Sequence, residues 1–305
     1  MVDCFLFLEP LDVFVTESPY VCINWDFAQF EDPYFPEFLP KWFKSREIKL
    51  AATQKAMRVI NGTQALSEQV NFHAQVPIER QRVLPFPTPA DALEHAKMNL
   101  NSKFKMPIET KDNPFLFYPA SFWPHKNHAS LLRAMYSLKG TEFGYDLIFC
   151  GANKGNKKFL QDLSIELGLN DHVHFLDFIT REQLLGIYSH ASALVFPSLV
   201  GPDNIPPLEA FAIGCPVIAG KLKGSVEQFN EAAYLYDPLD EKELIQAIKS
   251  LRNDKVGWNI RLEKGKKRAQ SWTSDDYAKG ICQIFSELQP FINCCDVTTY
   301  EFQFS

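Results

Sequence analysis

The chain has 305 residues, of which 46% are hydrophobic and 22% are charged, a balance typical of a folded globular protein rather than a disordered or fibrous one. Its 31 basic and 37 acidic side chains give a net charge of −6, which argues against a general nucleic-acid-binding protein. The sequence contains no run of 18 apolar residues, and its seven cysteines are scattered without a C-x-x-C pair. We therefore expect a cytoplasmic protein with one large domain or two of ordinary size.

The first hundred residues combine short apolar runs with helical patterns. The runs that predict strands cover 13–15, 20–23, 58–60 and 82–84. The spacing of apolar residues predicts helices over 45–57 and 65–72, and residues 88–107 have the composition of a linker with some helical content. Residues 25–43 are rich in aromatic side chains, which predicts either packing in a core and a cleft wall or contact with a membrane surface.

The most regular pattern runs from about residue 113 to 271. The almost wholly apolar runs that predict strands cover 115–121, 146–150, 173–176, 193–196, 216–219 and 233–236. The helical patterns between and after them cover 127–138, 158–167, 181–191, 206–213, 240–252, 255–271 and 275–288. Apolar strands that alternate with helices predict a doubly wound parallel sheet covered on both faces. Ligands bind such sheets beyond the carboxyl ends of the strands.

Two loops at that edge carry groups suited to an anion. Lys126 follows the first strand of this region, and an ammonium there could neutralise a phosphate, although an isolated lysine is more often simply solvated. Asn204-Ile205-Pro206-Pro207 begins a helix, where free N–H groups favour an anion. Glu209, one turn later, either accepts hydrogen bonds from ribose hydroxyls or merely complements the helix dipole. His125 and His128 have i,i+3 spacing, but we expect them to be structural rather than metal ligands.

Together these segments resemble the nucleotide-sugar-binding half of a family 4 glycosyltransferase, a member of the group 1 glycosyl transferases with the GT-B fold. The matching sequences are F-Y-P-A at 117–120, W-P-H-K-N-H at 123–128, V-F-P-S at 195–198, N-I-P-P-L-E-A at 204–210 and G-C-P-V at 214–217. The resemblance covers about 113–290. Upstream, Val21–Asp26 resembles the family's strand that ends in His-Asp or Trp-Asp.

The resemblance implies an α/β, GT-B-type fold with one complete doubly wound parallel-sheet domain and an incomplete Rossmann-like domain before it. Residues 1–110 would form the incomplete N-terminal, acceptor-side domain and linker, and residues 111–274 the nucleotide-sugar-binding domain. Residues 275–305 would form a helix that crosses back to the N-terminal domain, and a tail. At roughly 30 residues per βαβ unit, about a hundred residues of the family's N-terminal domain have no counterpart here. We therefore expect an N-terminally truncated member with an unpaired sheet edge: a fragment, a misassigned start or a half-domain that has lost catalysis.

Members of the family transfer a sugar from a nucleotide diphosphate sugar with retention of configuration, usually without a metal. The resemblance implies a hexosyltransferase that uses a UDP- or GDP-linked sugar and a polysaccharide or lipid-linked acceptor, as in lipopolysaccharide biosynthesis. No cofactor, no metal and no nucleic-acid partner are expected, and the chain contains no Asp-x-Asp pair. A lipid-linked acceptor would bring the protein to the inner face of the membrane. The alternative is a catalytically inactive fragment that only binds nucleotide sugars.

By the same resemblance Lys126 would hold the diphosphate, Glu209 the ribose, and Asp26 would face the reacting sugar from the other domain, so these three are the predicted catalytic residues. The predicted residues that bind the sugar donor are Ser121, Lys126, Phe178, Ile179, Asn204, Ile205, Pro206 and Glu209. Two departures remove charged contacts, because Gly201 stands where the family usually has a glutamate and Ala120 where it often has an arginine.

Overall fold

The structure, a computed structural model, describes residues 4–10, 18–38, 43–98, 106–107 and 113–294. It contains two parallel sheets, each flanked by helices. The strand expected over 13–15 lies outside the described residues. Within the described ranges, no helix is both long enough and apolar enough to cross a membrane.

The first sheet has four parallel strands in the order β1-β2-β3-β4. The strands are β1 (Phe5–Phe7), β2 (Tyr20–Asn24), β3 (Arg58–Asn61) and β4 (Gln81–Val83). Three helices pack on this sheet: α1 (Ala28–Glu31), α2 (Phe43–Lys55) and α3 (Gln64–Ala74). The helix α4 (Ala90–Lys97) follows β4 in the chain, but its Ala92 is buried in the core of the second sheet. The strand β1 was not predicted, and it forms by parallel pairing with β2, with Phe5 opposite Tyr20 and Phe7 opposite Cys22. Within the described residues, β1 and β4 are the edges of this sheet.

The second sheet has six parallel strands in the order β10-β9-β8-β5-β6-β7. They are β5 (Phe115–Pro119), β6 (Asp146–Cys150), β7 (Val173–Leu176), β8 (Ala193–Phe196), β9 (Val217–Gly220) and β10 (Tyr234–Tyr236). Every residue of β6, β8 and β9 is buried, as a parallel sheet covered on both faces requires. The predicted doubly wound α/β sheet is therefore confirmed.

The helices of this half agree with the sequence pattern, with two differences. They are α5 (His128–Leu138), α6 (Lys157–Glu166), α7 (Arg181–His190), α8 (Ile205–Ile213), α9 (Lys223–Phe229), α10 (Glu241–Asn253), α11 (Lys255–Gln270) and α12 (Ser274–Cys294). The capping box predicted by T-R-E-Q at 180–183 is present at the start of α7. The short helix α9 was not predicted, because its K-G-S start reads as a turn. The last helix continues past Pro290, whereas the sequence predicted its end at residue 288.

The extension of α12 has a tertiary cause, because Ile292, beyond the predicted end, packs against a cluster on the first sheet. Ile284 and Leu288 are buried in a cluster with Val21, Ile23 and Ile60 of the first sheet. Arg82, in β4, also pairs with Glu287 through a hydrogen bond of 3.0 Å. The last helix therefore packs on the first sheet, although it follows the second one in the chain.

Hydrogen bonds between the two halves hold the carboxyl edges of the two sheets near each other. Glu227, in α9, accepts hydrogen bonds from the backbone N–H groups of Gln64 (2.7 Å) and Ala65 (2.8 Å), so a carboxylate of one half caps the N-terminus of α3 in the other. Asp203 accepts a hydrogen bond from the Phe86 N–H at 3.0 Å. The Phe86 ring in turn lies 4.9 Å from the Trp25 ring, measured between centroids. The ends of β2, β4 and β8 consequently meet around one cleft.

Candidate functional site

The strand order of the second sheet places a crevice between β5 and β8. The chain leaves β5 toward β6 and β7 on one side, and β8 toward β9 and β10 on the other, so the loops after β5 and β8 diverge. Such a topological switch point at the carboxyl edge is where open α/β sheets bind ligands. Lys126 follows β5, whereas Asn204 and Glu209 follow β8. The predicted phosphate and ribose residues therefore lie on opposite sides of the same crevice.

Lys126 places a cation at this crevice. It ends a short 3-10 helix, Pro124–Lys126, and its Nζ lies 3.5 Å from the Ser198 Oγ and 5.7 Å from the centroid of the Phe196 ring. Burial lowers the pKa of Lys126 from 10.5 to about 8, and the negative charges of Asp26 and Glu37 oppose that shift. The ammonium is therefore poorly solvated, which strengthens its attraction for an anion.

Asp26 reaches this region from the first sheet. It follows β2, and its Oδ1 accepts a hydrogen bond from the Ala28 N–H at 3.0 Å. Lys49, in α2, lies 4.0 Å from the same oxygen. The Asp26 side chain is 43% exposed, and its charge acts on both Lys126 and His125. The structure thus brings Asp26 and Lys126 to facing sides of the cleft between the two sheets.

Glu209 belongs to a polar cluster that the sequence did not reveal. Its Oε1 accepts a hydrogen bond from Arg181, and its Oε2 accepts one from the Tyr188 hydroxyl at 3.0 Å. Arg181 also holds Asp91 of α4 through two hydrogen bonds, of 2.6 and 2.8 Å. Burial raises the pKa of Glu209, while Arg181 and then Tyr188 act to lower it. Both Glu209 oxygens already have a partner, although a carboxylate offers about four acceptor positions.

The cluster predicts a clear effect of replacing Arg181 with methionine. Glu209, with a side chain 6% exposed, would keep only Tyr188 as a partner. Arg181 itself is 39% exposed, so water can partly replace it, and we expect a loss of about 1–2 kcal/mol in the free energy of unfolding at pH 7. Urea unfolding at pH 5 and pH 7 measures this loss.

The loss should shrink as the pH falls. Without Arg181 the pKa of the buried Glu209 rises further above its value in the unfolded chain. The folded variant therefore binds a proton at Glu209 more readily at pH 5 than at pH 7, and this proton removes the cost of burying the charge. Arg133→Met is the control, because Arg133 is 52% exposed in its pair with Glu241. An equal loss at both pH values would contradict the burial of a charged Glu209.

The start of α8 carries fewer free N–H groups than the sequence suggested. The Asn204 N–H donates to the Gln228 Oε1 at 2.9 Å, and the Asn204 side chain donates to the Gly201 carbonyl at 2.9 Å. Pro206 has no N–H to offer. Ile205, which begins the helix, is 37% exposed. An anion at this helix start would therefore depend on the helix dipole and on Lys126 more than on the Asn204 backbone.

The remaining predicted residues lie on loops at the same edge of the sheet. Ser121 is half-buried in the loop after β5. The backbone before it packs closely on Gly151, since a Cβ on Gly151 would lie 2.2 Å from the Ala120 carbonyl oxygen. Phe178 follows β7 and is 96% exposed, and Ile179 beside it is half-buried. An aromatic ring so fully exposed is available to stack on a flat ligand.

A cavity of about 240 Å³ opens between the two halves. The first half contributes residues of α1 and α3 together with Asp32, and the second contributes residues 199–202 and 222–224. Polar groups from both halves line it, among them Gln69 and Lys223. Lys126, Glu209 and Phe178 do not line this cavity, whereas Phe27 and Ala28, which follow Asp26 in the chain, do.

The aromatic segment contributes to the cleft wall. Phe27 and Phe30 are buried in the core of the first half, whereas the rings of Phe35 and Phe38 pack on His125 at centroid distances of 6.0 and 5.4 Å. Tyr34 is exposed, and the side chains of the residues from 39 to 44 lie outside the described part.

The histidines here show no metal-binding geometry. His128 is fully buried against the Tyr118 and Phe122 rings, at 4.6 and 5.0 Å, and burial lowers its pKa to about 3. His125 is paired with Glu37 instead. Among the residues that the structure describes, there is no group of three or more metal-ligating side chains.

Sequence reasoning missed Arg181, Asp91 and Glu37. Arg181 had a usable signal, because it begins a helix at the same sheet edge as Phe178 and Ile179. Asp91 and Glu37 had none, since they approach from segments 118 and 89 positions away from Glu209 and Lys126 in the chain.

Comparisons with known proteins agree with this architecture. The family model described as glycosyl transferases group 1 matches residues 101–272. The O-antigen chain mannosyltransferase RfbU of Salmonella typhimurium is 36% identical over 141 residues, which are 46% of this chain and 39% of that protein. The serotype-specific mannosyltransferase WbdA of Escherichia coli is 23% identical over 236 residues, 74% of this chain and 27% of that protein. The chain thus spans less than half the length of these curated relatives.

The fold is shared with solved structures, among them a glycosyltransferase from Rickettsia africae with a TM-score of 0.70 at 13% identity, with 94% of this chain and 77% of that chain covered. Anabaena HepE, crystallised with UDP and glucose, has a TM-score of 0.73 at 18% identity, with 93% of this chain and 77% of that chain covered. The predicted GT-B-type fold is therefore confirmed. Since the family model covers more than half of the sequence, the chain belongs to the group 1 glycosyl transferases.

Proposed function

We propose that the protein transfers a sugar from a UDP- or GDP-linked donor to a polysaccharide or lipid-linked acceptor, with retention of configuration. The family membership and the similarity to O-antigen mannosyltransferases support this proposal. The observation that carries it is the poorly solvated Lys126 ammonium in the crevice between β5 and β8, with Asp26 on the facing side of the cleft.

In the proposed reaction Lys126 binds the diphosphate and stabilises the charge that develops as it leaves. The bond between the anomeric carbon and the diphosphate oxygen breaks, and the acceptor oxygen bonds to the same face of that carbon. The acceptor proton passes to the departing diphosphate. Asp26 would face the sugar, and the cavity lined by the next two residues, Phe27 and Ala28, also has polar side chains that a sugar acceptor would contact. The protein contributes positioning and charge stabilisation rather than a nucleophile.

Glu209 would bind the ribose with the acceptor positions that Arg181 and Tyr188 leave open. Phe178 and Ile179 would contact the base, and Ser121 together with the Asn204–Pro206 segment would complete the donor site. In this proposed arrangement the nucleotide would lie across the crevice, from the loop after β7 to Lys126. The polyhydroxylated donor would thus contact both sides of the switch point.

A nucleotide-sugar-binding module without turnover is the second candidate. It is favoured by Gly201 and Ala120, which replace two charged residues usual in the family. Binding is common to both candidates, whereas transfer of the sugar separates them.

A panel of UDP-, GDP-, ADP- and TDP-sugars, screened by thermal shift and then by calorimetry, tests the donor site. We expect one base to be preferred, and Glu209→Ala to weaken its binding by about 1.5–3 kcal/mol, the range for hydrogen bonds to a charged group. Glu263→Ala, at an exposed position in α11, is the control. Unchanged affinity in Glu209→Ala would remove Glu209 from the site, and the absence of binding by every donor would overturn the proposed function. Binding without transfer to any glycan acceptor would favour the module.

A further inference from the structure

Glu37 reaches from the first half of the chain to the turn that carries Lys126. It lies in a short 3-10 helix, Pro36–Phe38, and its side chain is only 3% exposed. Its Oε1 accepts two hydrogen bonds from His125, one from the backbone N–H at 3.1 Å and one from Nδ1 at 2.6 Å. His125 directly precedes Lys126, so one carboxylate oxygen fixes both the backbone and the side chain of that turn.

The surrounding packing makes this anchor rigid. The His125 ring is stacked on Phe38 at a centroid distance of 5.4 Å, and Phe35 approaches it edge-on at 6.0 Å. On the other side, the His125 carbonyl accepts a hydrogen bond from the Leu199 N–H at 2.9 Å. The anchor therefore joins three segments: the 36–38 turn, the loop after β5 and the loop after β8.

The second oxygen of Glu37 indicates a role beyond packing. Among the residues that the structure describes, its buried Oε2 has no hydrogen-bond partner, and leaving a buried carboxylate oxygen unpaired is costly. The charged groups that act on Lys126 are Asp26 and Glu37, both negative. Burial and then Lys126 lower the pKa of His125, while Glu37 and Asp26 raise it. The negative charge of Glu37 thus lies where it offsets the burial of the Lys126 ammonium.

We propose that Glu37 is a positioning residue for Lys126: it anchors the turn that carries the lysine and supplies a negative charge beside its ammonium. This inference rests on the proposed function, in which Lys126 binds the diphosphate. The position and charge of Lys126, which follows a strand of the second sheet, would thus depend on the 36–38 turn from the first half of the chain. Diphosphate binding would then require the 36–38 turn to be seated against His125.

Glu37→Gln in the full chain tests the proposal. Glutamine keeps an acceptor oxygen of the same reach but removes the charge, so the pKa of Lys126 should fall below its value of about 8. If the pKa of Lys126 falls by about one unit, the protonated fraction of Lys126 drops at pH 8 but hardly at pH 6. The affinity for UDP or GDP should then be about fivefold weaker than in the wild type at pH 8 and nearly unchanged at pH 6. Calorimetry from pH 6 to 8.5 measures this profile, and competitive labelling of Lys126 with acetic anhydride reports its titration without any nucleotide.

Asp146→Asn is the matched control. Asp146 is likewise a buried carboxylate, 3% exposed, paired with the Nδ1 of His172 at 2.8 Å. It begins β6 and so lies at the amino ends of the strands, away from Lys126 at their carboxyl ends. This variant should leave both the Lys126 titration and the pH profile unchanged. A mere loss of stability would affect both variants, whereas the proposed charge effect is confined to Glu37→Gln.

The outcomes separate this inference from the proposed function. An unchanged Lys126 titration in Glu37→Gln overturns the inference, whatever the nucleotide results. If the wild type binds neither UDP nor GDP, the proposed function fails. A lower pKa of Lys126 in Glu37→Gln would still support the effect of the Glu37 charge on Lys126. Should Glu37→Gln not fold, Glu37→Asp keeps the charge, so its Lys126 titration should stay near that of the wild type; a large fall would contradict the proposal.

Discussion

Replacing Lys126 with methionine is expected to abolish diphosphate binding while raising the melting temperature of the unliganded protein. Methionine fills a similar volume without a charge, so the attraction for the diphosphate is lost. If the protein turns over, the transfer rate should fall by about a hundredfold or more, as when one preorganised electrostatic contact is removed from an active site. Calorimetry with UDP and GDP and a transfer assay measure these losses.

The gain in stability follows from the pKa of Lys126. Its value falls from 10.5 to about 8 on folding, so at neutral pH the folded state is penalised for burying the ammonium. The shift corresponds to about 3 kcal/mol, and since Lys126 keeps some exposure we expect about 2 kcal/mol. Between pH 8 and 10.5 the folded lysine loses its proton before the unfolded one, so the penalty disappears as the pH rises.

Thermal unfolding at pH 7 and pH 10 tests this sign. The difference between Lys126→Met and the wild type should be largest at pH 7 and small at pH 10. Lys158→Met, which removes a lysine 79% exposed, should change little at either pH. A lower melting temperature for Lys126→Met at pH 7 would show that the lysine supports the fold rather than ligand binding.

The sequence predicted those parts of the fold whose pattern is local. The strands β6, β7 and β8 were placed at the residues where the structure has them, because uninterrupted apolar runs between helix signals leave little choice. The position of Lys126 and Glu209 at one sheet edge followed from the same pattern. Two short elements, β1 and α9, were not predicted, because pairing with β2 and packing between the two halves determine them rather than a pattern in their own residues.

The partners of the site residues could not be predicted in the same way. Glu209 was expected to face a ligand, yet the structure pairs it with Arg181 and Tyr188. Glu37 was part of an aromatic run with no chemical assignment, and only the packing of two sheets brings it to His125. Such contacts depend on how the halves of the molecule meet, which no local pattern encodes.

Gly224→Ala is expected to destabilise the protein by about 3 kcal/mol, the upper range for forcing an extra carbon into packed structure. Gly224 lies in α9, where alanine would ordinarily add roughly 0.5–1 kcal/mol of helix stability. Here, however, its Cβ would lie 1.9 Å from the Pro202 carbonyl oxygen and 2.6 Å from the Pro202 Cα. Both are backbone atoms, so no side-chain rotation can relieve the contact.

The loop that contains Pro202 cannot retreat without losing other bonds. Gln228 holds the Asn204 N–H at 2.9 Å and the Asn204 carbonyl at 2.8 Å, and Asp203 holds the Phe86 N–H at 3.0 Å. A displaced loop would therefore weaken the contact between the two halves as well as the helix start of α8. Because residues 199–202 line the cleft cavity, we expect nucleotide-sugar transfer to fall more steeply than stability alone explains.

Chemical denaturation of Gly224→Ala, beside a Gly144→Ala control, measures the effect. The nearest atom to a Cβ on Gly144 lies at 3.4 Å, an ordinary contact, so the control should change stability by less than about 0.5 kcal/mol. If Gly224→Ala instead stabilised the protein as an unconstrained helical glycine would, the loop after β8 would not be pressed against α9. The cleft would then lack the rigid wall that holds Pro202 and Asp203 between the two sheets, and with it the preorganisation that the proposed sugar transfer requires.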